Sequence, residues 1–273
     1  MKKGVNICCF PADYSLEQCF KLAKESGYDG LELNMVEESG QSPALKPDGK
    51  DWTAIRELSV KYDLPVSSIS TILHWEYPLT DSNPAKSGRG KELVRRMIDA
   101  AKFLGSDTVL IVPGEVTPTV SYKSAYQRSL DAFLELKCYA EEHEIIIGIE
   151  NVWNKFLLSP LEMAGFIDRI DSNYVKAYFD AGNVLQFSYP EHWIEILDKR
   201  IAKVHIKDFD LSIGSISGFK NLLHGHLDWK KLNEALLAIG YDDYVTAELN
   251  PHMQYPEQLI KDTKAAMDVI FGT

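Results

Sequence analysis

The sequence predicts a single α/β domain, a closed (β/α)8 TIM barrel spanning residues 1–273. Short β-rich runs alternate with amphipathic, capped stretches along the whole chain, eight of each. A length of 273 residues suits one such barrel. No Pro-, Gly- or Ser-rich linker and no low-complexity segment divides the chain.

The first strand is expected over residues 5–10, with a helix over 15–26 that closes at Gly27. The second covers 30–34, and its helix, 51–62, follows a polar loop. The third covers 66–74 and the long helix after it 89–104, ended by Gly105. The fourth covers 108–112, with a helix over 122–143. Residues 145–150 read as the fifth strand, and Ser159 caps a helix over 160–170. The sixth and seventh pairs are 175–180 with 190–197, and 201–207 with 228–239. The eighth strand, 244–249, leads into a last helix over 256–271. A doubly wound open sheet is the competing arrangement, but the first βα turn lacks a glycine-rich phosphate fingerprint.

Composition narrows the partners. Apolar residues at 45% and charged residues at 25% give a globular protein with a sizeable core. A net charge of −11 argues against nucleic acid, though not against a small phosphorylated ligand held in a locally positive site. Cys8, Cys9, Cys19 and Cys138 show no metal-ligand CxxC spacing and read as reduced thiols. No apolar run approaches the roughly 18 residues of a membrane span, and the N-terminus lacks a signal-peptide pattern. A cytoplasmic enzyme is expected, and a homo-oligomer is compatible with the sequence.

Barrel enzymes place their chemistry where strands end. Here Glu150, Asp180, His205 and Glu248 stand at or near the ends of four successive strands. Period-2 alternation puts Ile147 and Ile149 on the face opposite Glu150, and Val204 and Ile206 opposite His205. A lone Glu at a strand end is usually a rim salt bridge, and a lone strand His a hydrogen-bonded core residue. Four together are different. Three carboxylates converging in a low dielectric would repel, and a divalent cation removes that repulsion. Three oxygen ligands and one imidazole suit Mn²⁺, with Co²⁺, Mg²⁺ or Zn²⁺ as alternatives.

The stretch from Ile149-Glu150-Asn151 through Phe179-Asp180-Ala181-Gly182-Asn183, Val204-His205-Ile206-Lys207-Asp208 and Glu248 resembles the xylose-isomerase-like sugar (phosphate) isomerase/epimerase family. The likeness is greatest to the ketose 3-epimerase branch, including the L-ribulose/L-xylulose 5-phosphate 3-epimerases. It implies a (β/α)8 barrel holding one divalent metal, often Mn²⁺, on Glu150, Asp180, His205 and Glu248, with the two glutamates also serving as acid and base. Two positions depart from the family. Free-ketose epimerases carry a second Glu six residues after the first ligand, where this chain has Phe156. An acidic residue usual between two glycines before the seventh helix is replaced within His224-Gly225-His226.

Epimerisation beside a carbonyl removes a proton from one face and returns it to the other, and Glu150 and Glu248 supply the two carboxylates. A metal would hold the carbonyl oxygen and stabilise the enediolate. Lys207 is expected as a substrate or phosphate contact, or else in an ion pair with a ligand carboxylate or Glu32. Asn183 could bond substrate or cap a helix. His74, Glu115, Trp153 and His226 complete the candidate substrate contacts. The 211–221 loop, carrying Lys220, is a phosphate-site candidate or a mobile surface loop. A dehydratase of a keto-polyol on the same scaffold is the alternative reaction.

Overall fold

The computed structural model describes residues 1–37 and 50–272. β1 (Lys2–Asn6), β2 (Gly30–Asn34), β3 (Val66–Ser70), β4 (Thr108–Ile111), β5 (Ile146–Glu150), β6 (Val175–Asp180) and β7 (Ile201–Ile206) pair in sequence as parallel neighbours. A small antiparallel ribbon, β8 (Asp208–Phe209) with β9 (Phe219–Lys220), interrupts the series. β10 (Tyr244–Ala247) then pairs with both β7 and β1 and closes the barrel. Around it stand α1 (Leu16–Ser26), α2 (Lys50–Lys61), α3 (Pro84–Leu104), α4 (Tyr122–His143), α5 (Pro160–Ile170), α6 (Ala181–Val184), α7 (Pro190–Leu197), α8 (Trp229–Ala238) and α9 (Gln258–Phe271).

Local chemistry sets these boundaries. Ser15 and Gln18 form a reciprocal capping box at the start of α1, and Gly27 ends it in the left-handed conformation. Ser159 caps α5 with Pro160 in its first turn. Leu31, Leu33, Ile147, Ile149, Val204, Ile206, Val245 and Ala247 are all fully buried. The residues between them carry the polar groups, so each strand separates a packing face from a chemical face.

Several elements differ from expectation. The last barrel strand ends at Ala247 rather than residue 249, so Glu248 stands just past it, and the short α6 was not foreseen. The first strand ends at Asn6 rather than residue 10, because the Asn6 side chain accepts from the Cys8 amide and turns Ile7–Cys9 into a 3-10 helix. The third strand ends at Ser70, and Leu73–Trp75 is again a 3-10 turn, held by the Thr71 hydroxyl accepting from the Leu73 amide. α3 begins at Pro84 instead of residue 89, capped by Asn83. Gly88 and Gly90 disguise its first turns in the sequence, and Gly90 is needed there, since a Cβ would come within 2.3 Å of the Tyr77 carbonyl. The loop after β7 carries the unforeseen ribbon. No described helix is long and apolar enough to cross a membrane.

Candidate active site

Glu150, Asp180, His205 and Glu248 come together at the C-terminal end of the barrel. Each offers a ligand atom, and these atoms lie within 4.8 Å of one another. Asp180 and His205 are fully buried. Glu150 and Glu248 rise from them into a cavity of about 350 Å³, at the small end for ligand sites. Asn34, Trp75, Leu110, Val112, Trp153, Asn183, Lys207 and Phe219 are among its other walls.

The orientation of His205 is fixed from behind. Its Nε2 lies 2.7 Å from Glu32 Oε1. Glu32 is itself fully buried and accepts from Asn6, the Ser68 hydroxyl and the Tyr178 hydroxyl. Burial opposes the charge on Glu32, but the His205 charge and the donors around it bring its pKa down to about 2. Nδ1 of His205 therefore faces the cluster. Among the described residues it has no hydrogen-bond partner, with Glu150 at 3.5 Å and Glu248 at 3.7 Å.

Charge in the cluster is one-sided. Burial pushes the Glu150 carboxyl up to about 7; the charge of Glu248 adds to this and His205 works against it. Burial also raises Asp180, against the pull of Lys207. For Glu248 burial is outweighed by Lys207 and His205, and its carboxyl falls below the usual range. Lys207 is the counter-charge: its Nζ is 2.6 Å from Asp180 Oδ2 and bonds Glu248. Burial works against that ammonium, yet Asp180 and Glu248 hold its pKa well above the ordinary value.

The donor set fits a divalent cation. Among the described residues Nδ1 of His205 is a buried nitrogen with no hydrogen-bond partner, turned towards Glu150 and Glu248, whereas Asp180 Oδ2 is met by the Lys207 ammonium. Three oxygens with one imidazole match the ligands of Mn²⁺, Co²⁺, Mg²⁺ or Zn²⁺.

The other expected residues separate into two groups. Lys207, Asn183 and Trp153 line the cavity. Lys207 makes the ligand-carboxylate ion pair and leaves Glu32 to His205. Asn183 lines the cavity but does not cap α6: Asp180 is the cap, its Oδ1 accepting from the Asn183 backbone N–H at 2.9 Å. Trp153 donates to the Asn183 carbonyl at 2.8 Å. His74, Glu115 and His226 do not line the cavity. The 3-10 turn puts His74 in the core, where burial lowers its pKa to about 4, and presents Trp75 in its place. The Glu115 backbone is tied to the Thr80 hydroxyl. His226 lies at the ribbon, accepting from the Leu211 amide at 3.3 Å.

Sequence reasoning passed over the Glu32–Ser68–Tyr178 support and Asn151, which brackets the Asp180 backbone with two hydrogen bonds. The signal for Glu32 was present: in Gly30-Leu-Glu-Leu-Asn34 the alternation turns Glu32 and Asn34 inward.

A parallel barrel with its acidic cluster and cavity at the strand C-termini has the layout of a barrel enzyme. Residues 20–270 match the family model described as Xylose isomerase-like TIM barrel, and the chain belongs to that family. A curated relative, the L-ribulose-5-phosphate 3-epimerase UlaE of Shigella flexneri, is 22% identical over 246 residues, covering 87% of this chain and 83% of its own. The solved structure of D-allulose 3-epimerase from Methylomonas sp., in complex with D-allulose, matches with a TM-score of 0.80 at 19% identity, over 99% of this chain and 97% of that one. The IOLI protein, solved with a zinc atom, matches at 0.81 and 19% identity, over 99% and 98%. These structural likenesses establish the fold.

Proposed function

We propose that the protein is a divalent-metal-dependent 3-epimerase of a ketose or ketose phosphate, with Mn²⁺ as the first choice of ion. One observation carries this reading: of the four clustered side chains, only Glu150 and Glu248 reach the cavity. Each carboxylate has two oxygens, so each can serve the cluster with one and carry a proton on the other.

When bound by Glu150, Asp180, His205 and Glu248, a divalent ion supplies Lewis-acid polarisation of the substrate carbonyl. The chain's own residues do the rest. One glutamate removes the C3 proton, leaving an enediolate, and the other returns a proton to the opposite face. Asn34, Asn183 and Lys207 line the cavity and would bond the substrate hydroxyls, while Leu110, Val112 and Trp153 would wall the reacting carbon from water. The relatives that epimerise ketoses at C3 support this reading, as does the zinc-bound one for the ion. Four unpaired thiols suit the reducing cytoplasm.

Proton NMR in D₂O of metal-loaded enzyme with ketoses and their 5- and 6-phosphates tests the proposal. Deuterium at C3 is the expected result. Deuterium at C1 instead would make it an aldose–ketose isomerase, and loss of one water a dehydratase. No exchange with any of them by metal-loaded protein would overturn it.

A further inference from the structure

Exposed apolar residues are of two kinds on this molecule. On α2, α4, α8 and α9, Val60, Leu134, Leu237 and Val269 are each the single large apolar side chain in the open among the described residues. Such scattered residues are ordinary. The rim of the barrel mouth beyond β5, β6 and β7 is different. There Leu158, Leu161, Phe187, Tyr189, Ile213 and Ile216 are between 43% and 76% exposed.

The sequence marks the same three stretches. Residues 156–161, 181–190 and 211–219 contain no charged side chain, although 25% of the chain is charged. Depletion of charge, with aromatic side chains present, characterises the core of a protein interface. The six residues together expose roughly 700 Å², close to one partner's share of a standard interface and above the usual largest apolar patch of a monomer.

The stretches are joined and held on an ordered backbone. Trp153, in the loop after β5, donates to the Asn183 carbonyl of α6. Its ring packs on Phe209 and Phe219 of the ribbon, at 5.5 and 5.1 Å between centroids. Gly214, at the tip of the loop after β7, lies against the Gln186 side chain, 3.5 Å from where a Cβ would stand. Leu161 is in the first turn of α5, and Tyr189 caps α7, which packs on α5. The Leu158 amide donates to Glu162 at 3.0 Å and the Leu157 amide to the Tyr122 hydroxyl at 3.1 Å. A patch already ordered loses little entropy when it is covered.

Charge selects the partner. At −11 the other faces of two copies repel each other, and a basic partner would be drawn to those acidic faces instead of this neutral one. A two-fold contact sets a patch against itself, which suits a neutral apolar surface and not one of a single sign. We propose that this rim is a two-fold interface between two copies of the chain. Ile216 belongs both to the rim and to the cavity wall, so the second copy closes that edge of the cavity.

Sedimentation equilibrium of the wild-type chain at roughly 50 μM should give twice its 30.8 kDa. A monomer at that concentration would overturn the proposal and leave the rim to a different protein. Leu161→Asp and Phe187→Asp each enter the interface twice by symmetry and should weaken association about 10²–10⁴-fold. Both positions are exposed, so the thermal midpoint should hold, and if one variant unfolds the other decides. Leu237→Asp on α8 should associate like wild type. Rim variants that still associate fully refute the interface, and so does equal dissociation by Leu237→Asp. In the Leu161→Asp monomer the amides of 211–219 should exchange hydrogen faster than in wild type. Unchanged exchange there would show that the three stretches are not one covered surface, and the proposal would fall.

Discussion

β7 and the residue after it place two buried lysines on one face, one at each end of the barrel, under opposite conditions. At the N-terminal end Lys203 Nζ lies 3.0 Å from Asp107, pairs with Asp243 and sits 5.3 Å from the centre of the Tyr244 ring. Both aspartates reach water, so their remaining charge is hydrated. At the C-terminal end Lys207 meets Asp180 and Glu248, with Glu150 and Glu32 close behind and only His205 to assist. Asp180, His205 and Glu32 have no exposure. One end is settled by its own residues, and the other is left with an anionic excess that asks for a further cation. The contrast separates a stabilising end from a chemical one.

The comparison can be broken most sharply at the glutamates. Glu150→Gln or Glu248→Gln should lower turnover by about 10²–10⁴-fold while weakening metal retention only in part, read by C3 deuterium exchange and metal analysis. Full activity in both metal-bound variants would refute their acid/base role.

The next effect lies beside the cavity. The folded pKa of His74, about 4, is below its ordinary 6.5, so the unfolded chain binds more protons between these values. Stability from this group is intact above about pH 6.5 and declines as the pH falls towards 4, by up to about 3 kcal/mol. Urea unfolding at pH 7 and 4.5 should show His74→Leu less acid-sensitive than wild type; identical profiles would remove His74 from the account.

Glu32→Gln keeps the shape of the support for His205 and removes its charge. Metal affinity should fall about 10–100-fold, with a changed visible spectrum for the Co²⁺ form. Unaltered affinity and spectrum would mean that Glu32 does not orient the ligand.

The smallest effect is expected at the settled end. Lys203→Met should cost about 1–2 kcal/mol in urea unfolding, less than for a closed pair because Asp107 is well hydrated. Metal affinity should not change. If it did, the two ends would not be independent.

Much of this was legible because strand alternation and helix caps are local. The four clustered residues could be named because each stands at or within one residue of the end of a strand. The failures have a common cause in tertiary contacts. Ile7-Cys8-Cys9-Phe10 is as apolar as a strand, and only the Asn6 side chain turns it aside. His74 was named for its place at a strand end, and the unforeseen turn gave that place to Trp75. The ribbon's two-residue strands carry no pattern; the buried Asp208, reaching Leu227 and Trp229, makes them.

The same clamp divides the loop after β7 into two unequal parts. Below it, residues are tied to the barrel wall. Above it, Leu211, Ile213 and Ile216 stand exposed, and Ile216 still forms part of the cavity wall. The tip can therefore change length or composition across generations without disturbing His205, three residues before the ribbon. It is an exchangeable cassette, through which one ancestral barrel could diversify its choice of sugar while inheriting its reactive centre intact.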